Sequence, residues 1–256
     1  MNTKSAKTFD MKQTWQNITT NYSHWLSFVF LMLIAVVINP SFLSFTNLTN
    51  QFVQGAITGI CAMGMSLVIS AGMIDLSVGS SVALISGLGV LLLNKTESIA
   101  LCLLFCLGFG LILGLINGVL VTKGNIAPFI VTLASFSAYR SIINQLGQGG
   151  PFTVSKTMYD GFRKIAAGRV MGIPNLMLIF ILITVITGII MSKTKFGRYV
   201  YAVGSNQQAA RLTGINVGRV KTLIYIYAGT LYGLAAFLLA SRLTSIQAAS
   251  AGDGYE

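Results

Sequence analysis

The sequence SKTKFGRYVYAVGSNQQAARLTGINVGRVK, residues 192–221, interrupts the apolar middle of the chain with a run of positive charge. It contains no acidic residue, and uncharged apolar segments flank it on both sides. Cations gathered at the ends of apolar segments are typical of cytoplasmic loops in membrane proteins. The stretch therefore predicts such a loop between two membrane spans. Its cations are Lys193, Lys195, Arg198, Arg211, Arg219 and Lys221.

Within this loop, residues Asn206–Thr213 are predicted to form a short helix. Ser205 followed by Gln208 matches a capping box, in which each side chain satisfies a backbone N–H at the helix start. Gly214 is expected to end the helix, because glycine enters the left-handed conformation without a steric penalty. Arg211 falls in the last turn, where a cation complements the helix dipole.

A helix of about two turns is not stable alone in water and needs a surface to lie against. Ala209 and Ala210 are expected to form a bare patch close to its backbone. From the residues alone, the favoured interpretation is an amphipathic linker on the membrane surface.

The composition excludes a soluble domain as the body of the chain. Hydrophobic residues make up 54% of the 256 residues and charged residues 9%, whereas a typical soluble domain has roughly 25% charged residues. Asp75 is the only charged residue between Lys12 and Lys95. The net charge of +11 does not indicate nucleic-acid binding, because the cations lie at the ends of apolar segments.

The apolar segments predict an all-α bundle of about seven transmembrane helices. A bilayer core requires about 20 apolar residues per helix, and seven segments come near that length. The expected spans are Tyr22–Ile38, Phe52–Gly72, Leu76–Leu93, Ser98–Val121, Ile126–Ile143, Asn175–Met191 and Leu223–Ala240.

Basic residues set the expected orientation of these spans. The tail at 1–21 carries three lysines, and six spans separate it from the loop at 192–222, so both are placed in the cytoplasm. Residues 144–174 would then be external, although they hold four cations and one acid. The predicted organisation is a cytoplasmic tail (1–21), a transmembrane domain (22–241) and an external segment (242–256).

Three groups of glycines at four-residue spacing predict close helix packing. In lipid there is no hydrophobic drive between helices, so association depends on close approach of their backbones. Each group taken alone is equally well explained by the ordinary frequency of glycine in membrane helices. The groups are Gly55 with Gly59, Gly110 with Gly114 and Gly118, and Gly229 with Gly233.

Asp75 lies between two expected spans that have almost no loop between them. A carboxylate in a membrane domain is costly and should face the bundle interior or a polar end. It either caps the helix that starts at Leu76, accepting the N–H of Ser77 or Val78, or lines a solute path together with Ser77. The cap is the favoured interpretation.

Two sets of motifs resemble known permeases. The run Gln208–Gly214, QAARLTG, resembles the E-A-A-x-x-x-G signature of the permease subunits of ABC importers, with Gln in place of Glu. The run Gly72–Gly79, GMIDLSVG, resembles G-G-I-D-L-S-V-G of ribose-type monosaccharide permeases. Phe196–Asn206 and Leu212–Val217 are similar to that branch's F/L-G-R-Y-I-Y-A-I-G-G-N and L-S-G-I-N-V.

The resemblance implies a permease in the bacterial inner membrane that moves a small sugar by alternating access. It implies a second permease copy or homologue, cytoplasmic ATP-binding subunits and an external solute-binding protein as partners. The chain has no G-x-x-x-x-G-K-[ST] loop, so ATP hydrolysis is expected in a partner. The resemblance implies that the residues that contact the ATPase are Ser205, Gln208, Ala209, Ala210, Arg211 and Gly214.

Resembling permeases continue beyond a G-x-G-Y-E run with further spans, and here that run is Gly252–Glu256. The chain is therefore expected to be a shortened permease that does not transport, in which Ser241 and Gln247 lack polar partners.

Two other classes are weighed against the importer. An ion-coupled transporter or channel would rely on Asp75 alone as its coupling carboxylate. An intramembrane enzyme is disfavoured, because acid–base or nucleophilic chemistry needs two or more positioned groups and only His24 and Asp75 are candidates. The three cysteines fall inside apolar segments and indicate neither a disulfide framework nor a metal site, and no cofactor is expected.

Overall fold

The computed structural model describes residues 23–256, so the expected tail at 1–21 and Tyr22 lie outside the described residues. The described chain is mainly helical, with two short antiparallel strand pairs. The helices are α1 (Ser23–Ile38), α2 (Phe45–Ser70), α3 (Val78–Thr96), α4 (Ile99–Thr122), α5 (Pro128–Gly147), α6 (Lys156–Ala167), α7 (Asn175–Lys193), α8 (Lys195–Ser205), α9 (Gln207–Leu212) and α10 (Val217–Leu243). The strands are β1 (Pro151–Thr153), β2 (Arg169–Val170), β3 (Ile173–Pro174) and β4 (Ser245–Gln247).

The all-α membrane class is confirmed, but the count of seven spans is not. Helices α2, α3, α4, α7 and α10 are long and apolar enough to cross a membrane. Helix α1 has 16 residues, fewer than the roughly 20 that a bilayer core requires. Helix α5 has 20 residues but is not apolar enough to be among the candidate spans, because serine, asparagine and glutamine interrupt it.

The centre of the bundle is the contact between α4 and α10, and glycines form it. A Cβ added at Gly110 would overlap the backbone of Gly229, and one added at Gly114 would overlap the carbonyl of Tyr225. Gly233 in turn lies against the carbonyl of Cys106. The predicted small-residue faces on these two helices therefore pack against each other, as backbone-driven association in lipid requires.

The first glycine group does not take part in such a contact. A Cβ at Gly55 would meet no atom within 4 Å, and Gly59 accommodates the Phe180 ring of α7. The close-packing prediction is therefore wrong for Gly55, and Gly59 serves a side chain rather than a neighbouring backbone.

An amphipathic helix, α6, covers the C-terminal end of α10, and it lies within the segment 144–174, for which no helix was predicted. Phe162 of α6 packs edge-on against Phe237 of α10, with ring centroids 5.4 Å apart. Ser241 is fully buried beneath it, donates to the Phe162 carbonyl at 2.7 Å and accepts from Ala166 N at 3.1 Å. The expectation that Ser241 lacks polar partners is therefore wrong, because α6 supplies them.

Strand β4 continues from α10 and pairs antiparallel with β1, with Ile246 opposite Phe152 and Gln247 opposite Pro151. Asn94, near the end of α3, holds this pair by donating to the Thr153 carbonyl at 2.8 Å and accepting from Ser155 N at 2.8 Å. Gln247 thus belongs to a paired strand. The arrangement ties the C-terminal ends of α3, α5 and α10 together.

Candidate functional site

The basic stretch folds as two consecutive helices, α8 and α9, joined at Asn206. The Thr194 hydroxyl accepts the Gly197 N–H at 3.2 Å and starts α8. Gly204, near the end of α8, packs against the Ser70 carbonyl at the end of α2, where a side chain would collide. This contact anchors the stretch to the bundle, beside the turn that carries Asp75.

The short helix lies where it was predicted, but its N-terminal cap differs. Asn206 accepts the N–H groups of Gln208 at 2.9 Å and Ala209 at 3.0 Å. Ser205 instead completes the last turn of α8. The capping box of Ser205 with Gln208 is therefore wrong. Asn206 is an equally good N-cap, and it occupies the position where the backbone turns extended.

The predicted helix stop at Gly214 is confirmed. Gly214 has φ +83°, in the left-handed region that glycine enters at no steric cost. Its N–H bonds to the Arg211 carbonyl at 3.0 Å, and Ile215 N bonds to the Ala210 carbonyl at 3.1 Å. This pair of bonds is a Schellman motif, which satisfies carbonyls at the end of α9.

The expected bare alanine patch is only half exposed. Ala209 faces outward, whereas Ala210 is buried with 4% of its surface exposed. Leu212 is 90% exposed and lies at the end of the same outward surface. On the inner side, Lys221 of α10 donates to the Gln207 side chain at 2.9 Å and ties α9 to α10.

We call the outward residues Gln208, Ala209, Arg211 and Leu212 the α9 surface. It combines an apolar side chain, a small residue and a cation, in a stretch that has no acid between residues 192 and 221. A rigid helix with both ends capped and an exposed leucine is suited to contact another protein, because a large exposed apolar side chain gains stability when it is buried.

Asp75 accepts the Ser77 N–H as the favoured interpretation predicted, but Ser77 rather than Asp75 is the N-cap of α3, and no side chain caps that helix. Asp75 is buried, with 2% of its surface exposed, and its Oδ1 accepts the Ser77 N–H at 2.9 Å and the Ser77 hydroxyl at 2.6 Å. Helix α3 itself begins at Val78 rather than Leu76. The carboxylate therefore stabilises the turn that leads into α3.

A buried polar chain extends from this turn across two more helices. Asn117 of α4 donates to the Ser77 hydroxyl at 3.0 Å, and Ser135 of α5 donates to Asn117 Oδ1 at 2.6 Å. The members are 40 and 18 residues apart in sequence, so no local pattern could have identified the network. Helices α3, α4 and α5 are thereby fixed relative to one another near Asp75.

Beside the network, Asp75, Ser81, Asn117 and Tyr232 contribute polar groups to a cleft that is too narrow to admit a water molecule. The Tyr232 hydroxyl is buried there without a hydrogen-bond partner among the described residues. Within residues 23–256 the structure has no group of three His, Cys, Asp or Glu residues that could hold a metal. Asp75 and the α9 surface remain separate sites, linked through the contact of Gly204 with the end of α2.

Comparison with known proteins gives the family. The family model described as branched-chain amino acid transport system / permease component matches residues 47–256. The ribose import permease protein RbsC of Bacillus subtilis is 39% identical over 256 residues, which are 100% of this chain and 79% of that protein. RbsC of Escherichia coli is 35% identical over 229 residues, which are 88% of this chain and 71% of that protein.

The galactose/methyl galactoside import permease protein MglC of Escherichia coli is 30% identical over 238 residues, which are 85% of this chain and 70% of that protein. No solved structure matches the chain. The resemblance to sugar permeases of ABC importers is thereby confirmed. The chain belongs to the family of the branched-chain amino acid transport system / permease component.

Proposed function

We propose that this chain is the membrane permease subunit of an ABC importer and carries a ribose-type monosaccharide across the bacterial inner membrane. The substrate is inferred from the ribose import permeases, which share 35–39% identity with most of the chain. An external protein delivers the sugar, a second permease copy or homologue completes the path, and an ATPase in the cytoplasm supplies the energy. The N-terminus lies in the cytoplasm.

The observation that carries the coupling role is the α9 surface. Helix α9 is held at Asn206 and Gly214, and its inner side is tied to α10 through Lys221. A displacement of α9 by the ATPase would therefore move α10. Because α10 and α4 share the glycine contact, α4 would move with it. ATP-driven closure of the ATPase would tilt these helices and open the path to the other side.

The Leu212→Glu variant tests this role. Leu212 is exposed in the chain, and the proposal is that the ATPase buries it on binding. A charge at this position would lose the apolar contact and would have to be desolvated, so co-purification of the ATPase should fall about ten-fold or more. Met171→Glu is the matched control. Met171 is 97% exposed, and it precedes the candidate span α7, whereas the basic stretch follows α7, so a charge at Met171 should not reach the ATPase. Equal recovery of the ATPase with both variants would remove α9 from the coupling role.

A further inference from the structure

The segment after β4 turns back along α3. Gly252 lies against Gly79, the second residue of α3, so closely that a Cβ on either would overlap the carbonyl oxygen of the other. Gly252 also has φ +75°, which favours glycine. Strand β4, by contrast, lies at the opposite end of α3. It pairs with β1, and Asn94 of α3 donates to the Thr153 carbonyl of β1.

The returning segment reaches the depth of a membrane span. Gly79 and Asn94 are separated by 15 residue steps of helix, or about 22 Å at ~1.5 Å per residue. Residues 248–254 form turns rather than a helix or strand. Non-helical backbone at this depth is tolerated only where protein buries it or where it lines a water-filled cavity. This packing favours a returning path over the wholly external placement expected for 242–256.

Arg140, in the middle of α5, holds the segment in place. Its guanidinium donates to the carbonyls of Ala248 at 3.1 Å and Ala251 at 2.9 Å. It also pairs with Asp253 at 2.7 Å, where the Arg140 side chain is 13% exposed and the Asp253 side chain 60% exposed. A carboxylate this exposed at membrane depth is costly against hydrocarbon and is expected to face water or polar protein.

The exposed surface of α5 carries a strip of polar side chains next to Arg140. Ser137, Ser141 and Asn144 follow one another at helical spacing, beside Arg140, and all three are exposed. The polar strip lies among exposed apolar side chains of the same helix, which are Phe129, Ile130, Leu133, Ile142 and Leu146, whereas the outward surface of α7 presents leucine, isoleucine and valine with no such strip. These polar positions are also why α5 is too polar to be among the candidate spans.

We propose that the exposed side of the returning segment, with Asp253, and the α5 face formed by Ser137, Ser141 and Asn144 line the aqueous path of the transported solute. The inference rests on the proposed function for the nature of that solute, a neutral molecule with many hydroxyl groups. Carboxylate oxygens accept hydroxyl donors, the Asn144 amide both donates and accepts, and serine hydroxyls do the same. Arg140 is a positioning residue that fixes Asp253 at the edge of the path.

Cysteine accessibility tests the path without assuming the solute. Ser137→Cys, Ser141→Cys and Asn144→Cys are made one at a time in a chain whose three native cysteines are replaced by alanine, and are expressed with the partner subunits. A charged, membrane-impermeant thiol reagent should modify them about 100-fold faster than Leu182→Cys, because hydrocarbon excludes charge by at least that factor. Leu182 is 58% exposed in the middle of α7 and serves as the lipid-facing control.

Modification as slow as at Leu182→Cys at all three positions would overturn the inference, even if sugar uptake is intact. Oxidative cross-linking of Ser141→Cys to its copy without modification by the reagent would assign this face to a permease dimer instead, which also overturns it. Fast modification in a protein that does not import ribose would support the path and contradict the proposed substrate. The two failures are therefore distinguishable.

Asp253→Asn provides a second measurement. Arg140 keeps its two carbonyl bonds in this variant, so yield and thermal stability should remain near those of the wild type. We expect the half-saturating sugar concentration for uptake to rise at least about five-fold, since a charged acceptor is lost from the path. If the half-saturating concentration is unchanged and the stability is lowered, Asp253 only stabilises the fold through Arg140. That result would contradict the proposal that Asp253 lines the path.

Discussion

Gly110 of α4 and Gly229 of α10 lie so close together that a Cβ atom on either would overlap the carbonyl oxygen of the other. This contact brings the backbones of two apolar helices together at the centre of the bundle. Because lipid offers no hydrophobic drive for helix association, such close packing is a main source of stability in the membrane.

The Gly110→Ala variant should therefore be destabilised by about 1–3 kcal/mol, the usual cost of overpacking a well-packed interior. Gly108→Ala is the matched control on the same helix, since a Cβ there meets nothing within 4 Å. Alanine is the better helix former, so the control should be neutral or slightly stabilised. Thermal unfolding in detergent measures both, and equal stability of the two variants would contradict the glycine contact.

Asp75→Asn should keep most of the stability and sugar uptake, because an amide oxygen can accept the Ser77 bonds as the carboxylate does. Asp75→Leu should leave the Ser77 N–H and hydroxyl without that acceptor and cost about 1–3 kcal/mol for each buried group. Uptake and yield of the two variants are compared with the wild type. A well-folded Asp75→Asn protein without uptake would assign Asp75 to the solute path.

Orientation is tested by single cysteines at two positions that α10 separates in sequence, one at the end of α8 and one in β4. Ser205 precedes α10 and Ser245 follows it, and both are exposed. An impermeant thiol reagent applied to intact cells should label Ser245→Cys and leave Ser205→Cys unmodified until the inner face is opened. Labelling of Ser205→Cys in intact cells would place the basic stretch outside and reverse the topology.

Much of the fold was predictable because a membrane span is a property of local composition. Five long apolar segments became helices α2, α3, α4, α7 and α10, and the helix stop at Gly214 followed from the residue itself. The N-cap was misassigned since Ser205 and Asn206 are both good capping residues, and only the position where the backbone turns extended decides between them.

Contacts between distant segments were not predictable. Four-residue spacing shows that Gly110 and Gly229 lie on small faces, but it does not name the partner of either face. The bonds that join Asn117 to Ser77 and Ser135 span 40 and 18 residues, and single-sequence periodicity carries no information at that range. Burial of Ala210 likewise depends on how α9 lies on the bundle.

The most direct test of the account is uptake into liposomes that contain the permease expressed from its full reading frame together with its cognate ATPase. The external binding protein and labelled ribose are outside the liposomes, and ATP is inside. We predict ribose accumulation that requires ATP, continues after ion gradients are collapsed, and is lost in the Leu212→Glu variant but not in Met171→Glu. Accumulation that follows an ion gradient without ATP, or its absence when ATP and all partners are present, would contradict the assignment of this chain as an ABC sugar permease.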